Sequence, residues 1–154
     1  MRGLKHKMLL NISRVLIIKS VAELKASSSA EKVLLWLGRK SEQGYVVDEV
    51  FTPIQIADED FFLIPEEGMD ELMNKLRSER KMIVAQIHTH PREAFHSLAD
   101  DTWAIVRHVG AYSLVVPNFC AATDVSNFHE TIATFILDEF NSWKETDNSN
   151  IVLT

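Results

Sequence analysis

The amino-acid sequence predicts an α/β fold in the broad sense, a mixed β-sheet flanked by helices. Three observations carry that expectation. Apolar runs of strand length recur along the chain, other stretches repeat apolar residues at helical spacing, and the two kinds of segment alternate without the regular rhythm of a doubly wound sheet. With 154 residues, 46% of them hydrophobic, the chain is long enough for one ordinary core. A single domain over residues 1–145 and a polar, frayed tail over 146–154 are the expected organisation.

The first helix is expected from Ile12 to Ala26, where Ile12, Leu16, Val21 and Leu24 recur near helical spacing and Ser13 can cap the start. The serines after Ala26 break it. Val33 to Leu37 then form a continuous apolar run, closed by Gly38, that reads as a buried strand. A second strand covers Tyr45 to Val50 after the turn signal Gln43-Gly44, and a third lies at Ile54–Ile56 or Phe61–Ile64. Pro65 suits a first helical position, and Met69, Leu72, Met73 and Leu76 make an apolar stripe behind it, so a second helix follows.

Met82 to Ile87 is a short strand running straight into His88, Thr89, His90 and Pro91. Ser97 can cap a third helix with Asp100 and Asp101 in its first turn, Trp103, Ile105 and Val106 inside it, and Gly110 at its end. Tyr112 to Val116 and Thr131 to Leu137 are the last expected strands.

Charge and cysteine usage exclude several functions. The formal charge of −6, without a block of basic residues, repels a phosphate backbone, so nucleic acid is not an expected partner. A single cysteine, Cys120, allows neither an internal disulfide framework nor a cysteine-built zinc finger, which makes the cytoplasm the natural compartment. The basic start from Met1 to Leu10 is interrupted by polar residues before it reaches signal-peptide length, and no apolar stretch approaches the roughly 20 residues needed to cross a bilayer. Neither export nor a membrane partner is expected.

The chemistry sits at one place. In an extended stretch residues two apart point the same way, so His88 and His90 can bracket one cation. A carboxylate from the first turn of the next helix would supply a third ligand and leave a fourth position for water, as in catalytic zinc sites. Zinc so held lowers the pKa of its water to about 7, and a carboxylate outside the ligand set must then carry the proton. The expectation is a zinc-dependent hydrolase with one zinc ion per chain. Many glutamates could serve as the shuttle, and sequence arithmetic does not choose among them.

His88-Thr89-His90-Pro91, followed by Ala94-Phe95-His96-Ser97-Leu98-Ala99-Asp100, resembles the signature of the JAMM metalloproteases, also called JAB or MPN domains: His-x-His-Pro, a loop, then Ser-x-x-Asp. Glu31 ahead of the apolar strand Val33–Gly38 is similar to the family's early glutamate, and the resemblance spans most of the chain. It implies a JAB/MPN architecture of cytidine deaminase-like type, with His88, His90 and Asp100 as zinc ligands, Glu31 as general acid/base and Ser97 as donor to the developing oxyanion. Outside the resemblance, Glu31 reads as a solvated residue at a strand edge.

The loop Pro91–His96 is one residue shorter than the family's usual spacing, so either Asp100 or Asp101 can be the third ligand. Consecutive helical residues point about 100° apart, so only one faces the metal. Asp100 is preferred, because Ser-x-x-Asp then stays in register. His96 reads as a polar loop residue without a metal role, and Cys120 as a small buried residue.

The resemblance further implies a compact, prokaryotic-type isopeptidase, deubiquitinase-like, acting on a ubiquitin-like protein or its conjugate, with conjugating enzymes encoded nearby as partners. Two alternatives stand beside it: a metal-free scaffold subunit, and processing of a sulfur-carrier ubiquitin-like protein.

Overall fold

The computed structural model describes residues 8–27, 29–59, 62–97, 100 and 104–154. The first described element is strand β1 (Leu9–Ile12), which the sequence reading did not anticipate. Helix α1 (Arg14–Lys25) follows at once because the Ser13 hydroxyl accepts the Leu16 N–H at 3.2 Å, satisfying one of the donors that a helix start leaves open. Ile17, Val21 and Leu24 form its buried stripe. Ser20 shares that stripe and is satisfied: it donates to the Leu16 carbonyl at 2.8 Å and accepts the Trp36 indole N–H at 2.9 Å.

Strands β2 (Val33–Ser41) and β3 (Gly44–Phe51) make an antiparallel hairpin. Gly44 has φ +146°, and a Cβ there would stand 2.0 Å from the Leu9 carbonyl oxygen, so only glycine lets β1 lie against the start of β3. Of the two places expected for a third strand, the chain uses part of each: β4 (Ile56–Ala57) and β5 (Phe62–Leu63) pair as a separate ribbon, and Phe61 lies outside the described residues.

Helix α2 (Glu66–Glu79) starts one residue after Pro65, which serves as its cap residue, and ends at Arg80 in the left-handed conformation, φ 54°. Leu72 is buried, Met69 and Leu76 pack beside it, and Met73 is exposed, so the stripe is narrower than its sequence pattern.

The remaining elements are β6 (Met82–Thr89), β7 (Tyr112–Val116), a 3-10 turn at Asn118–Cys120, the short helix α3 (Phe128–Thr131), β8 (Ala133–Leu137), β9 (Trp143–Thr146), a second 3-10 turn at Asn148–Asn150 and β10 (Ile151–Leu153). Three readings are corrected here. Thr131 finishes α3, so β8 starts two residues later than expected. The tail does not fray: β10 pairs in parallel with β1, because Ile151 can be buried beside Leu10. Within the expected third helix, residues 104–110 form bends and turns. The Ile105 N–H donates to the Gln86 side chain at 2.8 Å instead of entering a helical ladder. Leu98, Ala99, Asp101 and Trp103 lie outside the described residues.

Eight strands form one mixed sheet in the order β10-β1-β3-β2-β6-β7-β8-β9, with parallel pairs at β10/β1, β1/β3 and β6/β7. Helix α1 covers one face through Leu34, Trp36, Ile87 and Leu114, and α2 covers the other through Val33, Leu35 and Leu37. This is the mixed, helix-flanked α/β sheet that the sequence predicts. Pairing of β2 with β6 shifts by one residue between Trp36 and Leu37, a bulge that leaves Val84 as the extra residue in β6. No helix among the described residues is long and apolar enough to cross a membrane.

Candidate metal centre

β6 is central in the sheet and carries alternating side chains. Ile87 points into the α1 core, while His88 is fully buried on the other face, 5.6 Å ring to ring from Phe62. His90 continues the extended path just past the strand, with its N–H donating to the Val116 carbonyl at 2.9 Å, so the two imidazoles stand side by side at 5.1 Å between ring centres.

Asp100 reaches both. Its Oδ1 lies 3.2 Å from His88 Nε2, and its Oδ2 lies 3.1 Å from His90 Nε2. A reciprocal cap holds the carboxylate there: the Ser97 N–H donates to Asp100 Oδ2 at 2.8 Å, and the Asp100 N–H donates to Ser97 Oγ at 3.0 Å. Burial alone would raise the pKa of Asp100, but the two imidazoles and the Ser97 N–H outweigh it and hold the carboxyl well below its usual range. Burial would likewise lower His90, and the hydrogen bond and charge of Asp100, with the charge of Glu31 behind them, raise it instead.

One potential ligand atom from each of His88, His90 and Asp100 lies within 4.8 Å of the others. The short His88–Asp100 separation is poorly aligned for a hydrogen bond, and among the described residues neither ring nitrogen of His88 has a hydrogen-bond partner. A fully buried imidazole with both nitrogens unmatched is costly, and a cation shared with the carboxylate would engage Nε2 and lessen that cost. Two imidazoles and one carboxylate fit a divalent ion with a position to spare. The residues therefore fit a metal.

Glu31 is buried at 6% exposure, so it is not the solvated edge residue of the plain sequence reading. Its backbone is pinned from two sides. On one, the Lys32 N–H donates to Thr89 Oγ1 and the Thr89 N–H to the Lys32 carbonyl, both at 3.0 Å. On the other, the Glu31 N–H donates to the Asp58 carbonyl at 2.7 Å, and the Gln55 amide accepts from Val33 N–H at 2.9 Å and donates to the Val33 carbonyl at 3.0 Å. Glu31 and His90 line one cleft of about 400 Å³ with Glu59, Arg92, Phe95 and Ser97.

All five residues singled out in the sequence thus converge: Glu31, His88, His90, Ser97 and Asp100 line the cleft or the cluster at its edge. Asp101 lies outside the described residues. Cys120 is buried, and burial pushes its thiol up to about 11, as suits an inert core residue. Sequence reasoning missed Gln86 and Ser113, two buried polar residues registered opposite each other on β6 and β7. Gln86 was visible as the first member of a polar i, i+2, i+4 series with His88 and His90.

No family model matches the chain. A curated protein of Sinorhizobium fredii, named "Probable metalloprotease y4jG", is 33% identical over 123 residues, 77% of this chain and 74% of its own. A solved structure from Desulfitobacterium hafniense, determined in solution, superposes with a TM-score of 0.67 over 95% of this chain and 93% of that one at 16% identity, a likeness of fold. Identity at that level, running through most of both sequences, means common descent, and the chain belongs to the metalloprotease family of the Sinorhizobium protein.

Proposed function

We propose that this metalloprotease is a zinc-dependent isopeptidase of the JAMM type, which removes a ubiquitin-like modifier from its conjugate or trims the modifier's carboxyl end. The observation that carries the reading is the arrival of Asp100 at both histidines with Glu31 buried in the adjoining cleft. The same residues, in the same chain order, make up the JAMM pattern.

His88, His90 and Asp100 would hold the metal. A zinc ion in such a donor set supplies Lewis acidity toward an amide carbonyl and makes water acidic near neutral pH. The remaining steps belong to the protein's own side chains. Glu31, facing the cleft, takes the proton of the attacking water and returns it to the departing amine. Ser97 Oγ accepts the Asp100 N–H, which leaves its own proton to donate to the carbonyl oxygen as negative charge builds there. The pinned backbone from Glu31 to Val33 keeps the shuttle from swinging away. A ubiquitin-like substrate, its conjugating enzymes as partners and a cytoplasmic setting belong to the same proposal.

Elemental analysis should find about one zinc per chain. The wild type should cleave a lysine-linked modifier conjugate or a carboxyl-terminal extension. Glu31→Gln should keep the metal and lose about 10²- to 10⁴-fold in turnover. A zinc-loaded wild type that cuts neither kind of bond across a panel of modifiers would overturn the isopeptidase reading.

A further inference from the structure

His96 lies outside the ligand cluster, yet its ring is wedged between Phe135 and Trp143, at 4.8 and 5.3 Å between ring centres, and 6.3 Å from His88. Its Nε2 is 3.0 Å from Ser113 Oγ. Ser113 is fully buried and pairs in register with the buried Gln86, whose Nε2 donates to the same Ser113 oxygen at 3.1 Å. The Ser113 hydroxyl thus joins the Gln86 amide to His96 Nε2, the direction of the second bond being set by the imidazole tautomer. The other end of the Gln86 amide accepts the Ile105 N–H at 2.8 Å.

His96 and Ile105 stand on either side of Asp100, four residues before it and five after. Both are tied to the same Gln86–Ser113 pair. Gln86 is itself two residues before His88 on the same face of β6. A buried amide and hydroxyl are costly unless fully bonded, and here their bonding capacity is directed at the two flanks of the segment carrying the carboxylate.

We propose that Gln86, Ser113 and His96 form a staple that positions Asp100 against His88 and His90, with His96 as the member that sets the metal affinity of the site. The proposal rests on the reading of those three residues as metal ligands. His96 stands outside the three-residue cluster and acts as a positioning residue, through the orientation of the Ser97–Asp100 cap.

The test is a titration of the metal-free full chain with cobalt(II) alone, followed by its visible absorption spectrum. His96→Phe keeps the ring packing and removes the nitrogen. It should bind cobalt about 10- to 100-fold more weakly and with an altered spectrum, the range typical of groups that orient a ligand. His96→Gln restores a hydrogen-bonding partner for Ser113 and should recover most of the affinity and the wild-type spectrum, a rescue that a merely packing role would not give. If His96→Phe does not fold, Gln86→Met carries the same expectation from the other end of the staple. Unchanged affinity and spectrum in a folded His96→Phe or Gln86→Met overturns the proposal, as does a folded His96→Gln that binds no better than His96→Phe. A wild type that binds no cobalt overturns both the proposal and the metal reading. A wild type that binds cobalt but cleaves no conjugate overturns only the substrate assignment, and the affinity comparison still decides the role of His96.

Discussion

Strands β6 and β7 present two unlike faces. Toward α1 they offer Ile87, Tyr112, Leu114 and Val116, all buried and apolar apart from one phenol whose hydroxyl donates to the Met8 carbonyl. Toward the cleft the same strands offer Gln86, His88 and Ser113, buried to the same degree and polar. On the first face burial itself stabilises the fold, at about 25 cal/mol per Å² of apolar surface. On the second, burial costs stability unless each polar atom is matched, and neither ring nitrogen of His88 has a hydrogen-bond partner among the described residues. The difference teaches that one face holds the sheet together and the other keeps polar atoms in place at some cost in stability.

The sharpest way to break that contrast is to remove the carboxylate that meets both histidines. Asp100→Ala should lower zinc affinity by more than the roughly 10- to 100-fold expected of supporting groups, read by competition with a chelating dye. Asp101→Ala should leave it unchanged, and the reverse pattern would move the third ligand to Asp101. On the opposite face, Ile87→Ala should cost about 2–5 kcal/mol in urea unfolding through the cavity it leaves, with the zinc affinity of the folded fraction unaltered. His88→Leu should abolish metal binding in the same competition assay, since it removes one of the three clustered donors.

The smallest effect is a pH dependence, read by urea unfolding in chelator. Asp100 is depressed below its usual 3.8, so its contribution is present above that value and is lost as pH falls toward the folded pKa. His90 is raised above 6.5, so its contribution is complete below 6.5 and is lost as pH rises through the folded pKa. The pair therefore stabilises the metal-free chain most between pH 3.8 and 6.5, and Asp100→Asn should flatten that window.

Much of this was legible in the sequence because the signals are local. The Ser13 cap, the Val33 run, the α2 stripe and the Tyr112–Val116 strand are each specified within a few residues, and His88-x-His90 states its own geometry once the strand is recognised. The parts that escaped depend on distant partners. Leu9–Ile12 and Ile151–Leu153 are too short to announce themselves and become strands by pairing with each other across the whole length of the chain. Trp143–Thr146 is an edge strand with mostly polar side chains. Of the expected third helix, Asp100 is helical, but residues 104–110 are not, and there the Ile105 N–H goes to a side chain on β6. Glu31 was named through family likeness, and its backbone is fixed by Gln55, Asp58 and Thr89, which nothing in its own neighbourhood of sequence reveals.

The extra residue at Val84 fixes more than a kink. Strand alternation has a parity, and one inserted residue inverts it for everything downstream. Ile83 faces α2, Val84 and Ala85 both turn toward α1, and from there Gln86 and His88 fall on the cleft side. Were β6 to keep all its residues but pair with β2 without the bulge, strict alternation from Ile83 would send both imidazoles into the apolar layer beneath α1 and bring Ile87 to the cleft, so the chemistry of this site depends on a count, odd or even, made four residues before His88.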